Sequence, residues 1–210
     1  MKVISLINQK GGVGKTTLGL SLAARWHLSG KSVAIIDADP QKSAVFWKGQ
    51  QSPDSRLLGI DVYAASLPSE IRSSRDLKVD YLIVDTPGTD QMMTRSAVNI
   101  SDAILIPVQP SSFDVRASAP SVQAALATGK PTAYVVNRFV HQSQLGREVM
   151  TSLRKTPARL ILKAMGQYQA FARSAGEGET PTTMFPDTAA SQNVEAVGQA
   201  IDEWLQEHQI

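Results

Sequence analysis

The chain has no cysteine among its 210 residues, which removes disulfides, thiolate metal centres and cysteine nucleophiles from its chemistry. Three scattered histidines give no basis for a zinc site. No stretch approaches the ~18 to 20 uninterrupted apolar residues of a membrane span. The opening residues MKVISLIN run directly into a glycine-rich segment, without the charged region, apolar stretch and cleavage site of a secretory leader. A cytoplasmic protein is therefore expected. Low-complexity tracts and internal repeats are also missing, and 42% hydrophobic with 19% charged residues is ordinary for a globular chain. At this length one domain over residues 1–210 is expected, with one site.

The net charge of +2 conceals a segregation. Residues 138–173 hold seven Lys or Arg (Arg138, Arg147, Arg154, Lys155, Arg159, Lys163 and Arg173) against one acid, Glu148. From Glu177 onward the balance reverses, with seven acids and no Lys or Arg.

Apolar runs of strand length recur at Val3–Ile7, Val33–Ile36, Tyr81–Val84, Ala103–Val108 and Ala133–Val136. They lack the alternation of a half-exposed strand, which suits parallel strands buried on both faces. Helical segments are read between them at Thr17–Leu28, Ser43–Gly49, Met92–Asn99 and Val115–Ala127, and a last one at Val194–Gln206. This β-α-β-α rhythm predicts an α/β fold with a doubly wound, mainly parallel sheet flanked by helices. Ligands in such folds gather beyond the carboxyl ends of the strands, where polar and glycine residues concentrate in this chain.

The first of those segments reads KGGVGKTT, Lys10 to Thr17, between a strand and a helix. Gly11, Gly12 and Gly14 let the backbone turn its N–H groups around phosphate oxygens, and the helix start adds its positive dipole end. Lys15 is placed to reach the β- and γ-phosphates, and the Thr16 hydroxyl to ligate Mg²⁺. Thr17 reads as a helix-start and phosphate-contact residue. The usual first glycine of GxxxxGK[ST] is Gln9 in this chain, so the loop is a variant, and Lys10 is its added feature. Lys10 is either a second cation near phosphates or a solvent-facing charge. Asp85 ends the run DYLIVD before TPG, the position of a carboxylate that holds Mg²⁺ through water. Asp37 and Asp39 in IIDADPQ follow the second run, and one of the two is expected to face the phosphates. Asp before Pro is also an ordinary way to leave a strand.

KGGVGKTT, then DADPQ, then DTPG, in that order, resemble the ParA/MinD family of deviant Walker ATPases, and the resemblance runs from Met1 through VVNR at 135–138 and onward. It implies a slow, partner-stimulated ATPase that binds ATP and Mg²⁺ and forms a nucleotide-sandwich homodimer. Residues Lys10, Gly11, Gly12, Val13, Gly14, Lys15, Thr16 and Thr17 would then hold nucleotide, with Lys10 crossing to the partner's ATP. By the same resemblance Lys10, Lys15 and Asp39 are catalytic, Asp39 positioning the attacking water. Thr16, Asp37 and Asp85 would serve the metal, and Asn137 and Arg138 look like an adenine-contacting pair.

Branches of that family differ in what the dimer adheres to. MinD-like members end in a basic amphipathic helix that lies on a membrane, whereas the last helix of this chain carries Glu195, Asp202, Glu203 and Glu207. ParA-like members bind non-specific DNA through late Lys and Arg, a role that Arg147, Arg154, Lys155 and Arg173 fit. The same basic run also reads as a solvated face. With the first strand opening the sequence, the expected resemblance is to the small ParA type, which lacks an N-terminal DNA-binding extension. The expectation is a nucleoid-associated partition or positioning ATPase with a ParB-like or other cargo-bound adaptor. Its cargo would be a plasmid; the alternatives are a protein organelle or receptor cluster as cargo, or a MinD-like membrane-associated ATPase. Iron-protein relatives need cysteines, and amidoligase relatives an added domain.

Overall fold

The computed structural model describes residues 1–210. Its strands are β1 (Lys2–Leu6), β2 (Val33–Asp37), β3 (Asp61–Ala64), β4 (Tyr81–Asp85), β5 (Ala103–Val108), β6 (Thr132–Val136) and β7 (Arg159–Leu160). They form one seven-stranded sheet in the order β3-β2-β4-β1-β5-β6-β7, and every pairing is parallel. The helices are α1 (Lys15–Leu28), α2 (Ser43–Gly49), α3 (Pro68–Ser73), α4 (Gln91–Ile100), α5 (Ser112–Leu126), α6 (Gln144–Leu153), α7 (Gln169–Gly176), α8 (Pro181–Met184) and α9 (Ala189–Glu207).

Successive strand side chains point to opposite faces, so a run that is apolar at every position can feed two cores. Ile4, Leu6, Ile35, Ile83, Leu105 and Val135 pack beneath α1, α2 and α9. On the reverse face Val3, Ile36, Leu82 and Val84 meet α3 and α4, while Ile7, Ile104, Ile106, Val108 and Val136 meet α5 and α6. α9 buries Val194, Val197, Ile201, Trp204 and Leu205, each worth about 1.5–3 kcal/mol of transfer free energy. Its polar side is also tied down, since Arg25 of α1 pairs with Glu195 and Asp202, and Trp26 Nε1 donates to Asp202 Oδ1 at 2.8 Å.

The predicted doubly wound parallel sheet is the observed one. Two strands were not read from sequence. β3 is an edge strand with three of its four residues exposed, so no apolar run marks it, and β7 has two residues. α1 and α5 begin at Lys15 and Ser112, ahead of the predicted Thr17 and Val115, because their polar first turns carry no core-facing periodicity. β1 lies between β4 and β5, and the chain leaves β1 toward α1 at this switch in strand order, where such sheets open a crevice.

Candidate functional site

The segment leaving β1 is a loop fixed from two neighbouring strands. Asn8 spans the gap: its Nδ2 donates to Pro107 O at 2.8 Å, and its Oδ1 accepts from Lys10 N–H at 2.9 Å. Gln109 Nε2 donates to Gly12 O at 2.8 Å, and Asn137 Nδ2 to Val13 O at 2.9 Å. Gly14, at φ 92°, is the residue from which α1 starts, and a Cβ there would lie 1.8 Å from Asn137 Nδ2. Left-handed backbone and close approach both require glycine at this position.

Lys15 is 6% exposed and donates to Asn8 O at 3.2 Å. Burial holds its ammonium below the usual lysine range, with Asp85 and Asp39 pulling the other way. The Thr16 hydroxyl donates to Asp85 Oδ2 at 2.6 Å. Burial pushes the Asp85 carboxyl up to about 7, opposed by that hydrogen bond and by Lys15. Its other oxygen, Oδ1, is buried without a hydrogen-bond partner. A hydroxyl beside an under-satisfied buried carboxylate is the hard-oxygen pair that Mg²⁺ takes when phosphates and water fill its other positions. Thr16 and Asp85 therefore fit the metal that the resemblance implies.

Asp37 is engaged differently. Its Oδ2 accepts from Ala44 and Val45 N–H at 2.9 and 3.0 Å, and its Oδ1 from Asp39 N–H at 3.2 Å. Burial raises its pKa, and those three N–H groups with Lys42 act against the rise. In this structure Asp37 caps the start of α2, and its Oδ1 accepts only the one N–H, from Asp39. Lys42, itself left-handed at φ 51°, donates to Asp37 O at 3.1 Å and Ala65 O at 2.8 Å, pinning the turn that carries Asp39.

A cleft of about 610 Å³ opens over this edge of the sheet. Gly11, Gly12, Gly14, Lys15, Thr16, Thr17, Asp39 and Arg138 line it. Asp39 is the member of the aspartate pair that faces it. Val13 is 1% exposed and packs inward. Asn137 does not line the cleft; it lies behind the loop, and its Oδ1 accepts from Arg138 N–H at 2.8 Å. Of the adenine pair read from sequence, only Arg138 borders the open space. Lys10 turns away from the cleft and meets Asp114 at 2.7 Å.

The far wall escaped the sequence reading. It comprises Phe46 and Trp47 of α2, with Phe171, Ser174, Glu179, Thr180 and Pro181 around α7 and α8. Trp47 Nε1 donates to Glu179 O at 2.9 Å, joining the two parts of that wall. The one signal for it was Thr180–Pro181, a helix-start pair. Of the basic residues, Arg147, Arg154 and Lys155 are exposed on or just after α6. Arg173 lies apart from them on α7, its guanidinium 5.5 Å from the Phe185 ring centroid.

Known proteins are similar to this chain in sequence and fold. The maintenance of carboxysome distribution protein A of Gloeobacter kilaueensis is 30% identical over 182 residues, 84% of this chain and 82% of that one. The sporulation initiation inhibitor protein Soj of Bacillus subtilis is 30% identical over 147 residues, covering 51% of this chain and 58% of that one. The solved MinD cell division protein of Aquifex aeolicus superposes with a TM-score of 0.77 at 21% identity, covering 97% of this chain and 98% of that chain. Residues 4–182 match the family described as the CobQ/CobB/MinD/ParA nucleotide binding domain, a match that takes in the phosphate loop, both aspartate turns and the far wall, and the chain belongs to that family.

Proposed function

We propose that this chain is an ATP-dependent partition or positioning ATPase that dimerises on ATP, binds nucleoid DNA without sequence preference and moves a cargo when an adaptor stimulates hydrolysis. The observation that carries the reading is the division of labour among the loop cations. Lys15 lines the cleft, whereas Lys10 on the same loop does not. A cation that leaves its own cleft is accounted for when it serves the nucleotide of a second copy.

The chemistry is transfer of the γ-phosphoryl group to water, giving ADP and phosphate. In such transfers the protein chiefly positions groups and offsets developing charge. Loop N–H groups and Lys15 hold the phosphates. Asp39, facing the cleft, orients the attacking water. Mg²⁺, held at Thr16 and Asp85, would neutralise charge shared by the β- and γ-phosphates. Arg138 and the α7–α8 wall receive the base.

α9 keeps its apolar face in the core, which disfavours membrane docking by that helix. No helix is long and apolar enough to cross a membrane. Exposed Arg147, Arg154 and Lys155 suit phosphate contacts that read no bases. A plasmid is the leading cargo. A protein organelle is the second reading, favoured because the carboxysome-distribution relative aligns over 84% of this chain and Soj over 51%.

The test is binding to arbitrary-sequence DNA with ATP, with ADP and without nucleotide, over a salt series. The Asp39→Ala variant, expected to bind ATP and dimerise without turnover, serves as the ATP-locked form. ATP-dependent, salt-sensitive binding is expected, and replacing Arg147, Arg154 or Lys155 by Ala should lower the salt slope by about one each. Absence of binding in every nucleotide state refutes the nucleoid reading, and normal turnover by Asp39→Ala refutes its catalytic role.

A further inference from the structure

Asp114 is a carboxylate that the proposed chemistry does not use. It occupies the first turn of α5, 3% exposed, with its N–H donating to Ser111 Oγ at 3.4 Å. Lys10 is its one ion-pair partner, at 2.7 Å, and the lysine side chain is 41% exposed against 4% for the aspartate. No side chain or N–H donates a well-formed hydrogen bond to its carboxylate, and the Lys10 ammonium beside Oδ1 is its only charged partner. The neighbouring Phe113 is 84% exposed, so this turn faces open space and not a packed neighbour.

A buried carboxylate with a single counter-charge loses most of its compensation when that charge departs. The ammonium of Lys10 cannot be folded back onto α5 of its own chain and extended toward a second copy at once. The two positions compete for one group. We infer that Asp114 holds Lys10 in a resting position within its own chain, and that breaking this pair sets the threshold for ATP-dependent self-association. The inference rests on the reading that Lys10 serves the nucleotide of a second copy. Because the lysine is nearly half exposed, water screens the pair and refills the site after release, which limits its strength to that of a partly buried ion pair. The expected effect on self-association is about tenfold.

The experiment compares the full chain carrying Asp39→Ala with the same chain carrying Asp114→Asn in addition, by sedimentation velocity with Mg-ATP over a protein concentration series. Asp114→Asn should lower the dimer dissociation constant about tenfold, and Asp114→Glu should return it toward the parent value. Affinity for a fluorescent ATP analogue, measured at protein concentrations below dimerisation, should change by less than about twofold. Thermal melting checks the fold, and Asp114→Ser, which keeps a small polar group in the helical turn, replaces the Asn variant if that one does not fold. An unchanged or raised dissociation constant in the folded variant overturns the inference while leaving the functional reading intact. Failure of the parent to self-associate with ATP refutes the functional reading itself, and the inference with it.

Discussion

Replacing Asn137 by Ala separates two roles that sequence and structure give this residue. The resemblance makes Asn137 an adenine contact. The structure places it behind the phosphate loop, 4% exposed, donating to Val13 O and accepting from Arg138 N–H. Arg138 is exposed, so water can replace the bond to its N–H. Val13 is 1% exposed, so its carbonyl is left buried and unpaired. An unsatisfied buried carbonyl costs about 1–3 kcal/mol. Taking about 2 kcal/mol, the nucleotide-free protein should melt roughly 4–8 °C lower. A loop no longer held in its bound shape must be ordered by the ligand. Affinities for ATP and GTP should then fall together, by about tenfold for each 1.4 kcal/mol of ordering. The assays are thermal unfolding without nucleotide and titrations with fluorescent ATP and GTP analogues. Unchanged melting, with the loss confined to ATP, would refute the buttress and restore the base contact.

Two further outcomes are expected. The folded-state pKa of Asp85, about 7, lies above its unfolded value, so its contribution to stability is fully present below about pH 4 and is lost as pH rises through 7. In EDTA without nucleotide, unfolding free energies from urea titrations should therefore fall from pH 5 to 8.5 more steeply for the parent than for Asp85→Asn, by a difference on the order of a few kcal/mol; parallel curves would contradict this. A Cβ at Gly88 would lie 2.9 Å from Gln9 O and 3.3 Å from Gly11 N, both backbone atoms of the phosphate loop. Gly88→Ala should retain the fold and weaken nucleotide binding by about tenfold or more, as one misplaced loop can; undiminished affinity by fluorescence titration would count against that crowding.

Sequence revealed most where one physical demand dominates. β1, β2, β4, β5 and β6 are covered on both faces, so their apolar runs are continuous and legible. β3 has one neighbour and exposed side chains, so nothing in Asp61–Ala64 had to be apolar. The phosphate loop was legible because few backbones other than one rich in glycine can direct N–H groups inward. Asn137 and Asp37 were harder. Both lie in recognisable motifs, but their side chains satisfy backbone groups outside those motifs, distant Val13 for one and Ala44 and Val45 in the next helix for the other. The wall around α7 and α8 contributes shape, which many residue types can supply, so beyond the helix-start pair Thr180–Pro181 nothing in 171–181 marks it.

α1 is held unequally along its length, and this has a mechanical consequence. Its later half is gripped by α9 through Arg25 and Trp26, while its first turn belongs to the phosphate loop. A strut anchored at one end pivots there, so its displacement is largest at the other end. Strain from a γ-phosphate, or its relief after hydrolysis, should therefore be expressed near Lys15 and in the adjoining α2, with little sliding of α1 over the sheet. The last helix, remote from the phosphate loop, would then be the fulcrum of any such movement.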